Sequence, residues 1–368
     1  MTAYVPSDKW NNVKVAARLR LERMRFEAKV RSERGLGLTP TEANSFNTSD
    51  RWVRRFIGFS ERRFCPEGQG TTDLAIRAGR MLFDLGHHPS DIDWIIFGSV
   101  TPSYLYSPPD STLLQDQLGI PVWLGGEPRE TMGVDVSLAC STWVASLMLC
   151  YALIRAGMAR RIILIGADRM SATINWRDRS FATVLGDAGT ATLCAAVPAE
   201  EDWFSPEQFW GWLNGEKSEI IRTPMGGSKQ PLRSSQDVDS GQHYLSMDGR
   251  AVREVIVPFI GGPAMDAALA KAGWSMDQLD MLTLHEANLV LNDSIVKMWR
   301  QRGFRGEVVS AQGRFGNTTS ASIPLAWSLN PKALAVGRNF GLIGFGGGLS
   351  AAFAFGTIKH PIQILANE

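Results

Sequence analysis

Two stretches far apart in this chain carry the same local pattern. Residues 85–97 read LGHHPSDIDWIIF and residues 272–284 read AGWSMDQLDMLTL. In each, a helical segment ends on glycine (Gly86, Gly273), seven residues lead to an aspartate (Asp93, Asp280), and an apolar strand follows. Further on, each passes from a strand through a small polar corner into an apolar helix: SLACSTWVASLML from residue 137, GRFGNTTSASIPLAW from residue 313. A repeated order of elements restricts the chain to two similar α/β units packed on one another. By this register Cys140 and Asn317 occupy equivalent strand-to-helix corners, and a site belongs at the junction of the halves.

The remaining pattern fits that frame. Residues 72–85 have helical spacing, while 93–100 (DWIIFGSV), 133–138 (GVDVSL), 161–166 (RIILIG) and 189–196 read as strands. Residues 141–156 are apolar almost all round, so this helix belongs inside rather than on the surface. Alternating helices and continuous apolar strands predict a layered α/β body. The chain divides into an N-terminal extension or insertion (1–45), a first half (46–198), a connecting segment (199–245) and a second half (246–368). In the extension, Lys9 to Arg34 reads as a basic amphipathic helix with Val13, Ala17, Leu21, Met24 and Ala28 as its apolar stripe. Its nine Lys or Arg against three Glu suit a solvated surface helix, or a docking face for an acidic partner. Gly35 and Gly37 end it. Trp203, Phe204, Phe209, Trp210 and Trp212 are too aromatic for a bare linker and are expected to cover the body or a dimer surface.

Charge excludes some functions. With 38 basic and 37 acidic residues in 368, no global field draws nucleic acid or an anionic membrane. No bilayer-length uninterrupted apolar helix and no signal-peptide pattern are evident, so cytoplasm is the expected location. Cys65, Cys140, Cys150 and Cys194 are scattered without a CxxC pair, which predicts neither a metal site nor a disulfide framework.

One cysteine stands in a special setting. Cys140 follows a strand and immediately precedes the apolar helix, where free backbone N–H groups and the helix dipole favour thiolate. Cys150 and Cys194 lie within a helix and a strand and suit structural roles. His285 ends the apolar strand DMLTL, and strand ends are where α/β folds expose functional side chains. Asn317 lies in RFGNTTSAS, where it serves either as a site residue or as a turn residue. Residues 342–356, LIGFGGGLSAAFAFG, place three glycines between strands, a turn whose amides can approach an oxyanion; the stretch lacks the features of a phosphate loop.

Together these pieces resemble the β-ketoacyl-acyl-carrier-protein synthases of the third type, with their chalcone-synthase-like and pyrone-forming relatives, in the thiolase superfamily. The matching segments are TSDRWVRRFIGFSERRF (48–64), VSLACSTW around Cys140, LGDAGTA (185–191), SMDGRAV (246–252), HEAN (285–288), FGNTTSAS (315–322) and FGGGLS (345–350). The resemblance implies a thiolase-like α-β-α-β-α fold and a condensing acyltransferase of fatty-acid, polyketide or related secondary metabolism. Cys140 would be the nucleophile that forms an acyl-enzyme from a coenzyme A or carrier-protein thioester, with its own amide and that of Gly347 as oxyanion hole. His285 and Asn317 would bind the thioester carbonyl of a malonyl or β-ketoacyl partner. Trp52 and Arg179 match positions near the coenzyme A adenine, Asn288 closes the HEAN motif, and Tyr104 and Tyr106 match a loop lining the acyl pocket and reaching a dimer partner. No cofactor beyond these thioesters is implied, and a homodimer is.

The chain departs from the family pattern in places. Glu286 stands where the motif usually has Gln, with its side chain expected to point away from the reacting atoms; Val290 and Phe56 stand where Arg is common. The start, MTAYVPS, falls almost on the turn that follows the usual first strand, so either that strand is missing from this sequence or Met1 lies downstream of the natural start. Two other activities fit the same fold: transfer of the acyl group to a hydroxyl or amine, and a silent subunit of a heterodimeric synthase. Retention of Asn317 favours condensation, and the intact Cys–His–Asn set disfavours silence.

Overall fold

The computed structural model describes residues 1–35 and 37–367. Its first sheet holds β1 (Thr2–Tyr4), β2 (Trp94–Gly98), β3 (Met132–Val136), β4 (Arg161–Arg169) and β5 (Asp187–Ala195). The second holds β6 (Phe209–Leu213), β7 (Met281–Leu284), β8 (Glu307–Val308), β9 (Asn339–Gly346) and β10 (Ser350–Thr357). The strand orders are β1-β5-β4-β2-β3 and β6-β10-β9-β7-β8, with β11 (Leu365–Ala366) added beside β1. The directions match as well: the first two pairings of each sheet are antiparallel and the last two parallel. The repeat is therefore one topology used twice.

The repeated aspartates have the same task in each half. Asp93 accepts from the amides of Arg160 and Arg161 at the start of β4 (2.8 and 2.9 Å). Asp280 accepts from the amide of Asn339 at the start of β9 (2.7 Å). Each thus aligns the central strand of its sheet against the strand it precedes.

Helices make the other three layers. Helix α3 (Thr71–Asp84) covers the outer face of the first sheet, burying Leu74, Ala75, Ala78 and Leu82. Helices α4 (Thr142–Arg155) and α7 (Ser322–Leu329) lie between the sheets, which explains why neither has a polar face. Helices α5 (Gly249–Gly261) and α6 (Leu289–Gln301) cover the second sheet, with Ile256, Ile260, Ile295 and Trp299 packed on Leu282, Ile343 and Phe353. The Gly249–Ala272 stretch is long and apolar enough to cross a bilayer by length and composition, contrary to expectation, but it breaks at Gly262 and turns one side into this core.

Three further expectations change. The first strand is present: β1 sits between β5 and β11, and the Thr2 hydroxyl donates to Ala78 O at 2.6 Å. The aromatic connector contributes β6 to the second sheet, with Trp210 packed on Phe353 and Trp212 on Phe259 (centroids 5.3 and 4.1 Å). Helix α1 (Asn12–Arg34) exists, and a two-stranded ribbon of Asp8–Asn11 with Glu61–Phe64 closes the excursion that carries it, but the helix buries a different face. Val13, Leu21 and Met24 are 66, 37 and 62% exposed, and Ala17 and Ala28 are exposed too. Val15, Ala16, Leu19 and Val30 are buried instead, next to Arg18 stacked on Trp176 and Phe26 on Phe46. The contact face includes an arginine whose apolar stem and flat head pack on a ring, so apolar periodicity alone points to the wrong side.

Leu19→Ala should lower unfolding free energy by about 2–5 kcal/mol, and Leu21→Ala should stay within about 0.5 kcal/mol of the native value. Urea denaturation of the two variants checks the assignment, and equal losses would reject it.

Candidate active site

Cys140 stands at the corner between β3 and α4. The preceding Ala139 has φ 47°, a left-handed conformation that a residue with a Cβ adopts at a cost, as in other sharp nucleophile turns. Thr142 clamps the corner: its hydroxyl donates to Ala139 O (2.6 Å) and accepts from Leu138 N (2.8 Å). From the other half, the end of β9 presses on the thiol. A Cβ at Gly346 would lie 2.7 Å from both Cβ and Sγ of Cys140, so only glycine fits there. The amides of Gly347 and of Cys140 itself both act on the sulfur and favour its ionised form.

They do not prevail in the resting site. Burial pushes the Cys140 thiol up to about 12, and the nearby Asp168 carboxylate adds to the rise. The thiolate stabilisation expected from the helix end is thus outweighed, and the resting group is a neutral thiol.

Asn317 occupies the equivalent corner of the second half, held by Asn317 N to Val184 O (2.8 Å) and Gly186 N to Asn317 O (3.0 Å). These bonds explain the LGDAG motif: a Cβ at Gly186 would collide with Phe315 O. The side-chain Oδ1 accepts from Thr319 N at 2.9 Å, which fixes the amide so that Nδ2 faces away, with only a 3.5 Å contact to Ala287 O.

His285, at the end of β7, is fully buried, its ring 5.9 Å from that of Phe345. Its Nδ1 lies 2.7 Å from Ser322 Oγ, and Ser322 in turn donates to Thr319 O at 2.9 Å. A hydroxyl already donating to a carbonyl accepts from the ring, which places the proton on Nδ1. Nε2 then carries a lone pair and has no partner. Burial lowers the imidazole to about 3, so it is neutral at any working pH.

Cys140, Asn317 and Gly347 line one cavity of about 840 Å³, together with Phe345, Trp52 and Asn288. His285 is not among the lining residues; its ring stands edge-on to that of Phe345, which is. Arg179 is not on the wall either; its guanidinium covers the Trp52 ring at 4.5 Å. Asn288 caps α6, accepting from Leu291 N (3.1 Å) and donating to Phe56 O (3.2 Å). Tyr104 and Tyr106, expected at the acyl pocket, are 54 and 71% exposed and lie outside the cavity, Tyr106 Oη reaching Gly226 O. Among the described residues no cluster could hold a metal ion.

Sequence reasoning missed Asp168. This fully buried residue at the end of β4 accepts through Oδ1 from Ser99 Oγ, Val100 N, and Thr101 N and Oγ1 (2.7–3.0 Å). Through Oδ2 it accepts from Ser320 N and Oγ (3.0 and 2.5 Å), three residues beyond Asn317. An acid ending the apolar run RIILIGAD was the available signal.

The family model for 3-oxoacyl-[acyl-carrier-protein (ACP)] synthase III matches residues 134–207, and that for its C-terminal part matches residues 269–356. The chain is 30% identical over 306 residues to beta-ketoacyl-[acyl-carrier-protein] synthase III of Clostridium perfringens, covering 82% of this chain and 89% of the relative. It is 32% identical over 294 residues to the enzyme of that name from Symbiobacterium thermophilum, covering 79% and 83%. The crystal structure of 3-oxoacyl-(acyl-carrier protein) synthase from Burkholderia xenovorans superposes with a TM-score of 0.78 at 26% identity, covering 100% of this chain and 95% of that one.

A thiol raised this far yields about ten times more thiolate per pH unit, with no levelling near the usual cysteine range. Alkylation of Cys140 by iodoacetamide, followed by intact mass, should therefore still be climbing at pH 9.5. A plateau below pH 9 would show that the thiol is not held neutral.

Proposed function

We propose that this chain, which belongs to the 3-oxoacyl-[acyl-carrier-protein] synthase III family of condensing acyltransferases, carries its acyl group on Cys140 and joins it to a second thioester held by His285 and Asn317. What supports the reading most is that one cavity is lined by Cys140 and Asn317, from equivalent corners of the two halves, and by Gly347, whose amide acts on the Cys140 sulfur.

In the first step the Cys140 sulfur attacks the acyl thioester carbonyl. Its proton moves toward the departing sulfur along the His285 Nε2 lone pair without resting there as imidazolium, and the amides of Cys140 and Gly347 receive the developing oxyanion. The carbonyl re-forms, the carbon–sulfur bond to the carrier breaks, and the departing thiolate recovers the proton. In the second step the extender loses carbon dioxide, leaving an enolate. Asn317 Nδ2 donates to its oxygen, and so does His285 in its other tautomer. The Ser322 hydroxyl permits the exchange, because it can turn from Thr319 O to donate to Nδ1. The enolate carbon attacks the acyl-cysteine, the new carbon–carbon bond forms, and the Cys140 sulfur leaves as thiolate. Both steps draw on the substrates' own thioesters and need no further cofactor.

Coenzyme A or acyl carrier protein is the proposed bearer of both substrates, entering past Trp52 and Arg179. A second copy of the chain is the proposed structural partner, since β3 is the outermost strand of its sheet and much of it is exposed.

Incubation with short acyl-CoA should give one acyl adduct on Cys140 by intact mass, absent in Cys140→Ala. Asn317→Ala should keep the adduct yet lose about 10²–10³-fold in condensation rate. If no thioester gives an adduct on the native chain, the reading fails. If Asn317→Ala condenses normally, Asn317 is only a turn residue.

A further inference from the structure

The residue after His285 is not used by the chemistry above, yet it is a carboxylate in the interior. Glu286 is 2% exposed. It turns toward residues 311–313, whereas His285 turns toward Ser322. Its Oε1 accepts from Ala311 N at 2.5 Å, and the amides of Gly313 and Gln312 act on the same carboxylate. Three successive N–H groups converging on one anion form a concave backbone nest. Its geometry shows in the dihedrals: Gln312 and Gly313 have φ 57° and 69°, and a glutamine stays in that region only where something holds it.

That loop runs straight into Asn317. Gly313 O accepts from Ser60 N (2.9 Å), which ties it to the turn after the helix carrying Trp52. A Cβ at Gly313 would lie 2.6 Å from Leu289, at the start of α6, so the loop is packed tightly on that side. We propose that Glu286 is a positioning residue for condensation: its ionised carboxylate gathers the amides of residues 311–313 and fixes the loop that delivers Asn317, and protonation loosens it. This rests on the role assigned to Asn317 above.

Burial pushes the Glu286 carboxyl up to about 7, against the pull of the three amides. Its folded value lies above its ordinary one, so the native chain takes up a proton as pH falls through neutrality and holds the ionised clamp above it. The neighbouring groups do not switch there. On β7, His285 is neutral; on α6, Asn288 and Asn292 carry no charge. In the loop, Arg314 lies over the Phe315 ring. From the adjoining strand, Arg62 donates to Asn12 and Thr183, and Arg63 to Glu61. From α7 the Ser322 hydroxyl meets His285 and not the carboxylate. Asp187, raised to about 6 by burial, also titrates near neutrality, but Cys65 and Ser171 hold it.

Glu286→Gln keeps the shape and an acceptor for Ala311 N while removing the charge. Condensation by the native chain should rise roughly tenfold from pH 6 to 8, following the ionised fraction of a group at about 7. In the variant that limb should vanish, while the rate of Cys140 acylation at each pH stays native. The same tenfold rise in the variant overturns the proposal. Carboxyl-¹³C-glutamate labelling of the native chain reads the group directly and excludes aspartates. One resonance should titrate near neutrality, be missing in the variant, and be followed by the amide shifts of residues 311–313. A chain in which those shifts titrate but no acyl adduct forms keeps the clamp and loses the catalytic reading; a chain in which nothing titrates there loses the clamp alone.

Discussion

A single carboxylate joins the two halves of the molecule. Asp168 ends the central strand of the first sheet and is wholly inside the protein, where an unpaired charge is costly. Each oxygen serves one half: Oδ1 collects the Ser99–Thr101 turn of the first, and Oδ2 collects Ser320 of the second. Burial still raises its pKa, so the donors offset the penalty without abolishing it. The arrangement ties the segment beyond Asn317 to the first sheet. Loss of either partner would leave buried donors or a buried charge unmatched, which is more damaging than the net worth of the bonds suggests.

The paired corners of Cys140 and Asn317 follow from the duplication. A strand-to-helix corner exposes one side chain at the end of each central element, and packing the halves face to face brings both corners to one cavity. Glycine does the remaining work where the halves touch. Gly346 lets β9 lie against the Cys140 sulfur, Gly186 lets β5 pass Phe315 O, and a Cβ at Gly166 would lie 2.7 Å from Ser320 O. These positions leave no room for a methyl group, so chemistry and inter-half packing cannot be varied separately.

What the sequence revealed and what it hid divide along the range of the interactions. Cys140, Asn317 and the strand carrying His285 were readable because local pattern and repetition mark them. The same repetition made the two Asp residues visible, and both align a neighbouring strand. Asp168 escaped notice, and Glu286 was visible only as a departure from the motif without its contacts, because their partners lie far along the chain or in a loop of irregular dihedrals, which no periodicity reports. The stripe on α1 was misplaced because Arg18 and Phe26 build the inner face together. Strand β6 was hidden by its aromatics, which cover Phe353 and Phe259 as well as forming a ladder. Tyr104 and Tyr106 lie on the surface of the single chain, outside its cavity, with Tyr106 Oη against Gly226 O.

The pairing of β1 with β11 bears on how such a molecule is made. Duplicated halves suggest two bodies that fold one after the other as the chain emerges. Here Thr2 and Ala3 pair with Leu365 and Ala366, and α7, from the second half, packs on β1 and β5. The first sheet is therefore still open when its own strands have all been synthesised, with β1 bare along one edge. Such contacts join residues very far apart in sequence, which slows their formation. Until residues 365 and 366 have emerged, the nascent chain presents an unfinished sheet, so its exposure to aggregation lasts well beyond synthesis of the first half.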